Sequence, residues 1–216
     1  MSANENAPKI KGVADVVFVL DVSGTMSDIV QGVKDHISNF VGLLVNDPQS
    51  TVKDVRLGLV THDVGGAPNV FAAPFTSSPD EFRRNVNSAP DGASEYGLPA
   101  IDKALDFPWR ESCRRYVVFF TDEDVDGGND PQLQKSKLID LCRKLTALHV
   151  HFVGFGPSCN AYEMVGKTPG STYRVTTHDE LSSIGLDNVL QGIAKTITAS
   201  LDQKMMASVP RNLYGI

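Results

Sequence analysis

The chain is short of several things, and each shortage narrows its chemistry. It has three cysteines, Cys113, Cys142 and Cys159, and one tryptophan among 216 residues. An odd, sparse set of thiols gives no disulfide framework, so the fold must rest on a buried core. Basic residues are also short, 20 Lys+Arg against 26 Asp+Glu for a net charge of −6. A nucleic-acid footprint would need the opposite balance, and no nucleic-acid partner is expected. No apolar run approaches the ~20 residues of a membrane span. Met1–Ala7 carries Glu5 and no basic stretch, so no secretory signal is expected. There is no G-x-S-x-G elbow, no phosphate-binding loop and no cysteine in an activating context. The remainder, 41% hydrophobic and 21% charged, is globular in composition and of a length for one α/β domain. The setting expected of such a chain is cytoplasmic and reducing.

The apolar pattern alternates between strand and helix. Val16–Leu20, Val55–Thr61, Tyr116–Phe120 and His149–Phe155 read as strands, and Val16–Leu20 and Tyr116–Phe120 are charge-free runs expected of strands buried on both faces. Ser27–Val45 carries Ile29, Val33, Ile37, Phe40 and Leu44 at helical spacing, and Asp47-Pro48 stops it. Asn69–Phe75 reads as a strand whose Pro68 and Pro74 suit a sheet edge. Further helices are predicted from Ser78 as N-cap to Val86, over Leu98–Leu105, over Leu133–Leu148, and from Thr177 or Asp179 to about Leu201, with a short strand at Tyr173–Thr176. This alternation predicts a mainly parallel sheet with helices on both faces. Residues 1–12 and 205–216 read as tails around a domain of residues 13–204.

Three polar features fall at the carboxyl ends of predicted strands, where open parallel sheets collect ligands. Asp21-Val22-Ser23-Gly24-Thr25 follows the first strand, the loop Gly92-Ala93-Ser94-Glu95 precedes the Pro99 helix, and Thr121-Asp122 follows Phe120. Alternate positions Asp21, Ser23 and Thr25 can aim at one point, with Gly24 allowing a tight bend. Carboxylates and hydroxyls together form an oxygen-only cluster suited to a hard cation such as Mg²⁺.

Asp21-x-Ser23-x-Thr25, with Asp122 after the fourth strand, resembles the motifs of von Willebrand factor type A domains. The likeness runs from about Ala14 to Leu201 and takes in Arg56–Thr61, the loop feeding Pro99 and His151–Gly156. It implies a Rossmann-like α/β fold, a mostly parallel central sheet with helices on both faces and one antiparallel edge strand. It also implies a metal-ion-dependent adhesion site (MIDAS), a non-enzymatic device in which a bound Mg²⁺, or Mn²⁺ or Ca²⁺, bridges to an acidic side chain of a partner protein. On that resemblance the metal ligands are Asp21, Ser23, Thr25, Ser94 and Asp122. Intracellular relatives of this type act in multiprotein or AAA+ ATPase-associated assemblies. The chain departs from the family pattern at Thr25, where the family has Ser, at Ser94, where it has Thr, and at Glu123, where Gly is common. Neutral hydroxyl ligands leave the ion under-neutralised, so an incoming carboxylate gains a strong interaction.

Other readings stand beside this one. Asp21 and Ser23 could cap the following helix. An apolar strand leading into Asp21-Val22-Ser23-Gly24-Thr25 also resembles haloacid-dehalogenase-like phosphatases, with Asp21 as nucleophile, but Ser23 stands where their general acid/base carboxylate belongs. Glu123, Asp124 and Asp126 could tune the site, bind a second cation or form a solvated loop. His149 and His151, near Cys142 and Cys159, match no usual zinc spacing and read as packed or edge histidines. His62-Asp63, at the ligand end of the second strand, could line the binding surface or be an ordinary loop pair, and Trp109 reads as packing, with a partner contact open to it.

Overall fold

The computed structural model describes residues 12–46, 48, 50, 52–62, 70–90 and 96–207. Six strands make one sheet: β1 (Val13–Asp21), β2 (Asp54–His62), β3 (Phe71–Thr76), β4 (Arg114–Phe120), β5 (Val150–Gly156) and β6 (Thr172–Val175). Their order is β3-β2-β1-β4-β5-β6. All neighbours run parallel except β3, which pairs antiparallel with β2 at the sheet edge and carries Pro74 there.

Side-chain alternation along β1 divides the core. Val16, Phe18 and Leu20 point to a layer shared with α1 (Ser27–Asn46), α2 (Pro79–Asn87), α7 (His178–Ile184) and α8 (Leu186–Ala207). Val17 and Val19 point to a second layer with α3 (Gly97–Leu105), α5 (Leu138–Ala147) and α6 (Asn160–Gly166). Both faces are therefore covered, as a charge-free strand requires. Local signals set the helix starts. Ser78 accepts from the Glu81 amide with Pro79 at the first position of α2, and Thr177 forms a capping box with Glu180 at α7.

Three elements depart from expectation. The helix predicted over Leu133–Leu148 is two, α4 (Pro131–Ser136) and α5, separated at Lys137. Gln134 is buried and donates to Asn129 O while accepting from the Leu98 amide, which fixes α4 in its own direction. The terminal helix is likewise split into α7 and α8 at Gly185, whose φ of 78° no helix accommodates. Helix α6 was not anticipated, because seven residues are too few for a period to declare itself. His149 sits before β5 with φ 51°, outside the strand, while His151 stacks on Tyr116 and donates to Gly170 O. Residues 1–11 and 208–216, which hold nearly all of both expected tails, lie outside the described residues. No helix among the described residues is long and apolar enough to cross a membrane.

Candidate functional site

Strand order alone brings the key loops together. β1 and β4 are adjacent and parallel, with Leu20 opposite Phe120, so the chain leaves both strands on the same edge of the sheet. Asp21 ends β1 fully buried. Its Oδ1 accepts the Ser23 amide at 2.9 Å and its Oδ2 accepts the Thr121 hydroxyl at 2.8 Å. The Glu123 amide donates in turn to Thr121 Oγ1 at 3.2 Å, so a short chain of hydrogen bonds links the loop after β4 to the end of β1.

Ser23 and Thr25 present their hydroxyls together, with the two oxygens 3.0 Å apart. Ser23 makes no side-chain cap to the short 3₁₀ turn Gly24–Met26, so capping does not account for it. Gly24 carries no positive φ, and nothing lies within 4 Å of where a Cβ would stand. The steric need expected of it is absent; the turn is one that other residues can adopt. Asp122 follows Thr121, and its charge bears on Glu123, His62 and His178. Four of the five sequence-predicted ligands, Asp21, Ser23, Thr25 and Asp122, thus gather at one end of β1 and β4. The fifth, Ser94, lies outside the described residues.

The electrostatics of this corner are lopsided. Asp21 is buried with neutral hydrogen-bond donors, and among the described residues no Lys or Arg pairs with Asp21, Asp122 or Glu123. Burial, then the charges of Asp124, Asp122 and Asp21, push the Glu123 carboxyl up. A buried carboxylate normally finds a cationic partner or a metal. The donor set here, two acids and two hydroxyls, fits a hard divalent cation. No cluster of three or more His, Cys, Asp or Glu side chains placed to hold a metal occurs among the described residues, so any ion here leans on the hydroxyls.

The other acids of the loop are occupied. Asp124 Oδ1 accepts the Gly127 amide at 2.6 Å, and Asp126 pairs with Lys135. The Glu123 carboxylate packs against Gly127, with the charges of Asp124, Asp122 and Asp21 bearing on it.

Two further residues complete this corner. The Thr121 hydroxyl, beside Asp122, steadies Asp21. His62, a binding-surface or loop residue on the sequence, ends β2 with 1% exposure, opposite Asp21 in register, and stacks on Phe119 at 5.8 Å. Burial pushes its imidazole down, against the pull of Asp21 and Asp122. A separate cleft of about 460 Å³, between α3 and α4–α5, contains none of the predicted site residues.

The family model for the von Willebrand factor type A domain matches residues 16–125. No curated protein matches the sequence. Solved structures similar to the chain include the pilus adhesin SpaC from Lactobacillus rhamnosus GG in its open conformation (TM-score 0.55, 14% identity, 85% of this chain and 30% of that one). Another is the SpRpn10 VWA domain (TM-score 0.54, 16% identity, 79% of this chain and 93% of that one). A third is proximal thread matrix protein 1 from the mussel byssus with a zinc-occupied MIDAS motif (TM-score 0.54, 18% identity, 86% and 46%). At these identities the likeness is one of fold. The chain spans 30% of the adhesin and 46% of the byssus protein, well under two thirds of either.

Proposed function

Because the chain belongs to the von Willebrand factor type A domain family, we propose that it is a protein-interaction module whose divalent cation bridges to a partner's carboxylate. Asp21, Ser23, Thr25, Ser94 and Asp122 would hold the ion, Mg²⁺ first among candidates. The observation that carries this reading is the buried Asp21 carboxylate, which has neutral donors and, among the described residues, no cationic side chain, beside Asp122 and Glu123. An ion there would supply the missing positive charge and an attachment point for an acidic side chain. The residues themselves contribute orientation. Ser23 N–H and the Thr121 hydroxyl fix the Asp21 carboxylate, and the Ser23 and Thr25 hydroxyls share one side of the turn.

Such a module binds without turnover. The competing phosphotransfer reading asks Asp21 to attack as a nucleophile, and it lacks the general acid/base carboxylate, in whose place stands Ser23. A reducing, cytoplasmic setting would suit the three unpaired thiols.

The test is direct Mg²⁺ and Mn²⁺ titration by calorimetry, followed by capture of partners from host lysate in Mg²⁺ and in EDTA. Wild type should bind a cation saturably and retain a partner only with Mg²⁺, and Asp21→Ala should lose both. Capture that persists equally in EDTA, or a wild type that binds no cation, sinks the proposal.

A further inference from the structure

His62 is expensive to keep where it is. Neither of its ring nitrogens meets a protein hydrogen-bond partner among the described residues, and the side chain is 1% exposed. Folds avoid burying idle polar atoms, and an exception in a native protein calls for an explanation. Phe would keep the ring volume and the stack on Phe119 without that cost, so packing alone does not explain an imidazole.

Its position supplies the explanation. His62 and Asp21 are register partners on adjacent parallel strands, so their side chains leave the sheet on the same face. The His62 ring also stacks on Phe119 of β4, at 5.8 Å with 23° between planes. Since β1 lies between β2 and β4, that stack requires the ring to lean across β1, over the face that carries Val19 and Asp21. The charges of both Asp21 and Asp122 reach it there. An imidazole offers one donor and one acceptor when neutral, and Asp21, which accepts one hydrogen bond at each oxygen, retains acceptor capacity.

We propose that His62 is a positioning residue of the cation site, orienting Asp21 and Asp122 from beneath through ordered water, and that its nitrogens gain their partners when the site is loaded. The inference rests on the cation-binding reading above. Outer partners of this kind hold metal-ligating carboxylates in place, and their loss typically weakens metal affinity about ten- to a hundred-fold. In the empty protein the same nitrogens are only a cost. The two effects therefore have opposite signs, and a merely structural histidine would not separate them.

The experiment measures Mn²⁺ affinity by electron paramagnetic resonance and melting temperature in EDTA, on the full chain, for wild type, His62→Phe, His62→Gln and Asp21→Ala. His62→Phe should bind Mn²⁺ about ten-fold or more weakly while melting in EDTA at or above the wild-type temperature. His62→Gln, which keeps a donor and an acceptor, should recover much of the affinity. Should His62→Phe fail to fold, His62→Leu takes its place with the same expectation. The proposal is overturned if the apolar variant binds Mn²⁺ as wild type does. It is also overturned if affinity and EDTA stability fall together with no rescue by Gln. A wild type that binds no Mn²⁺ removes the cation site and this inference with it. Binding by wild type and His62→Phe alike, with none by Asp21→Ala, removes the His62 role alone.

Discussion

Asp15 and Asp21 bracket β1, both fully buried, and their surroundings could hardly differ more. Asp15 accepts from Arg56 Nε at 3.0 Å and Nη2 at 2.7 Å, and from the Arg110 amide at 3.0 Å and Nε at 2.8 Å. Burial alone would raise its carboxyl; the hydrogen bonds from Arg56 and Arg110 hold it below the usual carboxylate range. Asp15→Ala leaves Arg56 without its anion and Arg110 with Asp54 alone, and should cost about 3–5 kcal/mol in urea unfolding at pH 7. Because the folded value is depressed, the Asp15 contribution is complete above the unfolded value of about 3.9. It is lost as pH falls through the lower folded value, so the gap between wild type and variant should close only in strong acid. Sequence pattern found Asp21 because its motif is contiguous. It could not tell that His62 and Thr121 lie against Asp21, since that depends on which strands flank β1, which is settled by pairing between distant segments.

Helix α1 begins beside the site and is tied at its first turn to α7. His178 Nε2 meets Asp28 Oδ1 at 2.8 Å, and that hydrogen bond, more than any other cause, raises the imidazole above its ordinary value. With a raised folded value, this link is fully present below the unfolded value of about 6.5. It fades as pH rises through the folded one. His178→Gln should therefore lower the unfolding free energy slightly near pH 6, by less than about 1 kcal/mol for so exposed a pair, and hardly at all at pH 9. Helices with one long apolar stripe, such as α1 with Ile29, Val33, Ile37, Phe40 and Leu44 buried, were legible from spacing. The split at Lys137 was not. Leu133 and Ile139 continue an apolar rhythm in the sequence, yet they are 57% and 58% exposed, because Gln134 is held by the backbone of two neighbouring segments. A side-chain tether of that sort leaves no periodic trace.

The whole molecule places the candidate-site loops at the carboxyl ends of β1 and β4 and the Asp15–arginine network toward the other end of β1. Asp21 closes β1 and Asp122 follows β4, so an ion held by both would bind the assembled sheet and not the unfolded chain. Binding to the native state alone raises stability by mass action, about 2.7 kcal/mol at a hundred times the dissociation constant. Thermal unfolding should accordingly shift upward with Mg²⁺ concentration in wild type and stay flat in Asp21→Ala. Parallel strands and helices on both faces were readable beforehand, because strands buried on two sides leave unbroken apolar runs; the antiparallel edge followed only from the family resemblance.

The position of β1 at the centre of the sheet has a consequence for how the chain is made. Its two flanking strands are synthesised at very different times, β2 soon after and β4 some ninety residues later. At ribosomal speeds that interval is roughly 5–20 s. Until Arg114–Phe120 emerges, β1 presents an unpaired apolar edge of the sort that invites aggregation. Thr121, the hydroxyl that steadies Asp21 across a separation of 100 residues, arrives only then. Nascent chains thus pass through a vulnerable half-sheet, and the step that seals it is the same one that brings Thr121 and Asp122 to Asp21.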